Sequence, residues 1–130
     1  MTEKTNLNHV ALTFPDKISA AIFFKEILDL SEIKSFEISN ELSKQIFGIS
    51  ENIFVIVFGN NKVNFEVFIT DKIKKESYEH VCVEIENKEE FIKRCRQNNI
   101  EPIFVKKEDR TLLFIRDYSG NLYEIKEKIG

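Results

Sequence analysis

Two stretches of this chain follow one pattern, and such a duplication restricts the fold more than any property of the composition. The first copy opens on NHVALTF (Asn8 to Phe14) and closes on VNFEVFI (Val63 to Ile69). The second opens on EHVCVEI (Glu79 to Ile85) and closes on NLYEIKE (Asn121 to Glu127). Setting Glu66 against Glu124 brings Phe54-Val55-Ile56-Val57 onto Leu112-Leu113-Phe114-Ile115. In both copies a short turn with Gly and Asn follows, then a strand in which an aromatic precedes the glutamate (Phe65-Glu66, Tyr123-Glu124).

Hydrophobic periodicity gives each copy the order strand, helix, strand, strand, strand. Copy one places strands near 8–14, 32–38, 52–58 and 62–69 with a helix near 17–29. Copy two places strands near 79–86, 101–106, 111–117 and 121–126 with a helix near 87–98. Asn87 suits the N-cap of that second helix, with Glu89 and Glu90 in its first turn, and Asn98-Asn99 suits its end. A further short helix near 40–47, ended by Gly48, interrupts copy one only. The expected architecture is one α+β domain over residues 1–130. It pairs βαβββ modules, the first about 5–70 and the second about 78–127, as curved mixed sheets around a metal-binding cavity.

Strand alternation decides which way the polar residues point. Val10, Leu12 and Phe14 share one face of the first strand, and His9, Ala11 and Thr13 the other. Val63, Phe65, Val67 and Ile69 oppose Asn64, Glu66 and Phe68. Val81, Val83 and Ile85 oppose His80, Cys82 and Glu84, while Tyr123 and Ile125 oppose Leu122, Glu124 and Lys126. Helices cover the apolar rows, so His9, Glu66, His80 and Glu124 fall on faces turned away from the helices. His9 and His80 are the only histidines in the chain.

One lone strand histidine is usually structural, but two His/Glu pairs at matching registers fit a shared ion better. Imidazole nitrogen with carboxylate oxygen suits one divalent Ni, Zn, Co, Fe or Mn ion. Four protein ligands leave two open positions on an octahedral ion for adjacent substrate oxygens. Such an ion acidifies a C–H next to a carbonyl, and Glu66 and Glu124 are the candidate proton-transfer groups. Thr13 and Asn64 are candidates for substrate contact or for local hydrogen bonds. Phe68 is placed to wall the cavity or pack the core. Cys82 either presents a thiol to the cavity or, as is commoner for cysteine, fills a small buried space. Arg116 fits a surface ion pair better than a substrate contact, and Arg94 and Arg96 read as solvated helix residues.

The rest of the composition narrows the partners. A net charge of −3, with lysines scattered among glutamates, leaves no basic patch for a phosphate backbone, so nucleic acid is not an expected partner. No apolar run reaches the length of a membrane span, and the polar start Met1 to Asn8 lacks the apolar core of a signal peptide. Two cysteines, Cys82 and Cys95, make no disulfide framework and point to a reducing cytoplasm. The linker-like stretch Thr70 to Ser77 joins the copies.

The chain resembles the vicinal oxygen chelate superfamily of glyoxalases, epimerases, fosfomycin-resistance proteins and bleomycin-binding proteins. The resemblance spans about Leu7 to Lys126. It is carried by the βαβββ duplication, the strand-opening His9 and His80, and Gly120-Asn121-Leu122-Tyr123-Glu124. YEHVCVEI and the helix end Arg96-Gln97-Asn98 are similar to bacterial glyoxalase I. The resemblance implies a divalent metal at the concave face, chelated by substrate oxygens. It also implies a homodimer acting on a small molecule, with the site within one chain or shared between two. Glu66 occupies the position where glyoxalase I and epimerase members carry a first-module Glu or Gln.

Departures from the pattern refine that expectation. Thr13 stands where glutathione-dependent glyoxalases carry an arginine. Fosfomycin-resistance proteins use a three-ligand site without a first-module glutamate, and their potassium- and phosphonate-binding segment has no counterpart here. Bleomycin-type binders lack the metal ligands. The expected function is therefore a metal-dependent lyase or isomerase, glyoxalase I-like or methylmalonyl-CoA epimerase-like. The alternative is a non-catalytic small-molecule binding protein of the bleomycin-resistance type.

Overall fold

The computed structural model describes residues 7–72 and 78–128. Most of the expected linker, Ile73 to Ser77, lies outside the described residues. The first module runs β1 (Val10–Phe14), α1 (Lys17–Ala21) continuing as a π segment (Ile22–Ile27), β2 (Ser31–Ile38), α2 (Asn40–Phe47), β3 (Ile53–Gly59) and β4 (Asn64–Ile69). The second runs β5 (Val81–Ile85), α3 (Lys88–Gln97), β6 (Ile103–Lys107), β7 (Arg110–Arg116) and β8 (Leu122–Glu127). Each module forms one four-stranded sheet, in the order β1-β4-β3-β2 and β5-β8-β7-β6. The duplication in sequence is thus a duplication in topology. β1 pairs parallel with β4, and β5 with β8, while all other pairs are antiparallel.

Local chemistry sets the helix ends as side-chain capping predicts. The Asp16 carboxylate accepts from the Ser19 amide at 2.7 Å, and Asn87 accepts from the Glu90 amide at 3.0 Å. Ser39 caps α2 by accepting from the Leu42 amide, and Gly48 closes that helix with φ of 73°, where a side chain would be strained. Asn99 ends the α3 turn in the left-handed region with φ of 62°.

The first long helix departs from the expected regular form. After Ala21 the backbone widens, and the Leu28 amide donates to the Phe23 carbonyl at 3.0 Å, five residues back. Phe23, Phe24 and Ile27 are all fully buried along this segment. The Phe23 ring sits 5.0 Å from Tyr123 of the second module and 5.1 Å from Phe24, which stacks on Phe58. One hydrophobic core therefore draws on both modules, including Phe14, Phe65, Phe91, Cys95 and Ile125. The helices and the apolar rows of both sheets form it, leaving the other face of each sheet outside.

Polar contacts also tie the modules together. Arg94, read from the sequence as solvated, instead donates from Nε to the Ile27 carbonyl at 3.3 Å at the end of the π segment, with its guanidinium against Phe91. The Asn121 side-chain amide donates to the Thr13 carbonyl at 3.2 Å. Asn121 and Tyr123 both donate to the buried carboxylate of Asp117, at 2.9 and 2.6 Å. No described helix is long and apolar enough to cross a membrane.

Candidate metal centre

The strand registers place the four candidate ligands as two equivalent pairs. Ala11 lies opposite Glu66 across the β1–β4 ladder, and Cys82 lies opposite Glu124 across β5–β8. Each histidine precedes its strand by one residue rather than lying within it, two positions before Ala11 or Cys82 and so on the same side. The outcome is His9 Nε2 at 3.4 Å from Glu66 Oε1, and His80 Nε2 at 3.8 Å from Glu124 Oε1. Both pairs are partly exposed, with side-chain exposures of 38% and 25% in the first and 42% and 20% in the second.

The other ring nitrogen of each histidine fixes its tautomer. His9 Nδ1 stands 2.9 Å from the Asn8 amide oxygen, and His80 Nδ1 stands 2.9 Å from the Tyr78 carbonyl oxygen. Both partners only accept, so Nδ1 carries the hydrogen and donates. A neutral ring then turns the bare lone pair of Nε2 toward a carboxylate. Nε2 is thus the nitrogen that each ring turns toward its carboxylate, the side on which a cation would be held.

Two ligands are too few to hold a divalent ion by themselves. Among the described residues, no group of three or more His, Cys, Asp or Glu side chains stands close enough to bind one. The structure thus assembles the quartet as two half-sets and does not bring them together within one chain.

The candidate substrate residues divide. Thr13 and Phe68, opposite each other across β1–β4, both line a cavity of about 360 Å³ beside the first pair. Ala11 joins them from the sheet, and Ser43, Phe47 and Ile49 close it from α2 and the loop behind. Phe47 meets Phe68 edge-on at 5.3 Å. Asn64 is not part of this wall. It packs over Gly59, where an added Cβ would collide with its side chain. Cys82 is exposed on the same face as Glu124, so it is not the buried filler that cysteine statistics favour; Cys95 has that role. Partial burial raises the Cys82 thiol above its usual value, and the Glu124 carboxylate adds to the effect. Arg116 makes no ion pair among the described residues and donates to the Gly120 carbonyl at 2.8 Å. Arg96 pairs with Glu101 at 3.4 Å. The sequence reading missed Ser43, Phe47 and Ile49, whose only signal was the extra amphipathic helix in copy one.

No protein-family model matches the chain, and no curated protein matches it in sequence. Solved structures do match in shape. The glyoxalase family protein of Bacillus cereus superposes with a TM-score of 0.71 at 19% identity, covering 100% of both chains. The fosfomycin resistance protein FosX of Listeria monocytogenes superposes with a TM-score of 0.73 at 15% identity, covering 98% of this chain and 96% of that one. The fold is that of the vicinal oxygen chelate superfamily. A mutant of the same Listeria FosX, solved with Mn(II) and 1S,2S-dihydroxypropylphosphonic acid, shares the vicinal oxygen chelate fold at a TM-score of 0.73 and 17% identity, covering 95% of this chain and 93% of that one. At such identities the likeness concerns the fold.

Proposed function

We propose that this protein is a homodimeric, metal-dependent lyase or isomerase that moves a proton next to a carbonyl of a small substrate. The observation that carries the reading is the pair of half-sets. Each presents an Nε2 lone pair and a carboxylate, each has its imidazole pinned through Nδ1, and neither suffices alone.

The donor set fits a divalent ion. Two ligands on one ion, each about 2.0–2.2 Å from it, stand roughly 3–3.5 Å apart. The observed 3.4 and 3.8 Å separations need little adjustment to reach that spacing. His9 and Glu66 of one protomer would join His80 and Glu124 of a second copy, giving two equivalent sites about a two-fold axis. A bound divalent ion would supply Lewis acidity to the substrate's oxygens. Glu66 and Glu124 are the groups able to take and return the proton, each being a carboxylate on a rigid strand and partly open to a ligand. Asn8 and the Tyr78 carbonyl hold the imidazoles in orientation.

The test is complementation. The double variants His9→Ala/Glu66→Ala and His80→Ala/Glu124→Ala are prepared separately, then unfolded and refolded together. Each alone should lose its metal by elemental analysis. Random pairing of the mixture makes half the dimers mixed, each with one intact site, so the mixture should recover roughly a quarter of the wild-type metal. No recovery from mixed dimers refutes the shared site, and a wild-type protein that takes up none of Mn, Fe, Co, Ni or Zn refutes the metal reading. A second reading, a non-catalytic small-molecule binder, draws support from a cavity whose lining contains none of the four ligands. Chelator-insensitive ligand binding without metal uptake would favour it.

A further inference from the structure

The cavity beside the first His/Glu pair differs in character from the pair itself. Its floor is Ala11, Thr13 and Phe68 on the open face of the first sheet, and Ala11 is the residue directly across the ladder from Glu66. A molecule resting on Ala11 thus touches the position next to the carboxylate. The roof comes from α2 and the following loop, an element with no counterpart in the second module. Phe47, half exposed, forms its lip against Phe68.

The lining is overwhelmingly apolar. Among its described residues only Glu51 and Lys72 are charged, and their charges are opposite. Lys72 is exposed. Ser43 is buried, and no described buried side-chain nitrogen or oxygen lacks a hydrogen-bond partner. The cavity therefore offers an incoming ligand neither a fixed cation nor an orphaned polar group. Beyond the hydroxyls of Thr13, Ser43 and Thr70 and the end of Lys72, a phosphonate or carboxylate entering it would meet apolar wall in place of its hydration, whereas a hydrocarbon group would gain by leaving water. At the ~30 Å³ that a water occupies in the liquid, about 360 Å³ holds roughly a dozen water-sized atoms.

We infer that this cavity receives the uncharged apolar arm of the substrate, an alkyl or aryl group of up to about ten carbons, with the reacting carbonyl emerging past Ala11 toward His9 and Glu66. The placement of the carbonyl rests on the proposed function, but the affinity for an apolar arm does not. Of the chain's own residues, Phe47 sets the specificity by forming one wall of the entrance.

The experiment follows amide shifts in isotope-labelled protein titrated with butan-1-ol, hexan-1-ol and octan-1-ol, and separately with methylphosphonate. Shifts should centre on Ala11, Thr13, Ser43 and Phe68, with affinity rising about fourfold per methylene, the equivalent of burying each from water. Methylphosphonate should leave these amides unmoved. Phe47→Asp should weaken octanol binding tenfold or more, and the chain-length series on the unaltered protein decides the matter even if that variant does not fold. Repeating the titration on His9→Ala/Glu66→Ala separates the two readings: alkanol binding should persist while metal uptake is lost. A flat chain-length series, shifts centred elsewhere, or methylphosphonate binding at the same amides would overturn the inference.

Discussion

Asp117 offers the sharpest test of how the second module is held. Its buried carboxylate accepts four hydrogen bonds. Oδ1 accepts from the amides of Ser119 at 2.8 Å and Asn121 at 2.9 Å, and Oδ2 from the Asn121 side chain at 2.9 Å and the Tyr123 hydroxyl at 2.6 Å. Asp117→Asn keeps an oxygen for both main-chain donors, and the Tyr123 hydroxyl can rotate to accept from the new amide. Only the bond from Asn121 is lost, and one bond to a charged group is worth about 1.5–3 kcal/mol. Asp117→Ala removes all four. The carboxylate's own burial cost is returned, so the net loss should be about 3–5 kcal/mol rather than four full bonds. Urea unfolding followed by circular dichroism should rank wild type, Asn, then Ala, with a gap of about 2 kcal/mol between the variants. The pH dependence adds a second check. Burial raises the Asp117 pKa in the folded chain, with the hydrogen bonds from Tyr123, Asn121 and Ser119 opposing it. An acid held above its unfolded value binds its proton more tightly when folded. Its contribution is fullest below the ordinary carboxylate range and declines as pH rises through the raised value. The margin of wild type over Asp117→Asn should therefore narrow with rising pH. Equal stability of the two variants, or a margin that widens with pH, would refute this account.

Other expectations follow from burial and packing. A thiol reagent should modify Cys82 in the folded protein and leave Cys95 untouched until unfolding, and Mn(II) should slow Cys82 modification if the half-sets close around it. Burial pushes the Cys95 thiol up to about 11 from 9.0, so wild type should lose more stability between those values on alkaline titration than Cys95→Ala, in which the buried Tyr123 hydroxyl still contributes a loss. Phe23→Ala, at a fully buried ring joining both modules, should cost about 3–5 kcal/mol by urea unfolding. Gly59→Ala should destabilise measurably in the same assay, because the new methyl meets Asn64 and lies 2.6 Å from the Val63 carbonyl oxygen.

The strands, the helix caps and the direction of each candidate ligand were legible because each depends on near neighbours in sequence. Alternation at Val10 to Phe14 and Val81 to Ile85 placed the histidines, and alternation at Val63 to Ile69 and Leu122 to Lys126 the glutamates, on the uncovered faces, and Asn87 and Gly48 act as their chemistry requires. The division into two half-sets was not legible, since periodicity tells which face a residue occupies but not which other face that one meets. Arg94 escaped for a related reason. Its acceptor, the Ile27 carbonyl, lies on another module and is free to accept only where the helix is ending. The role of α2 was equally hidden, because an amphipathic helix does not announce whether its apolar side roofs a cavity or completes a core.

The widened turn at Ile22–Ile27 has a consequence for how this sequence can change over time. A π segment carries one residue more than an α-helix needs for the same span. Deleting one residue there would let the backbone relax to regular α geometry. Without the widening to absorb the change, everything on one side would turn about 100° against the other. Phe23 would swing off Tyr123, or Leu28 and Leu30 would lose their seat before β2. The widened turn is thus the place where this helix can lose a residue while the aromatic packing that joins its two halves stays in register.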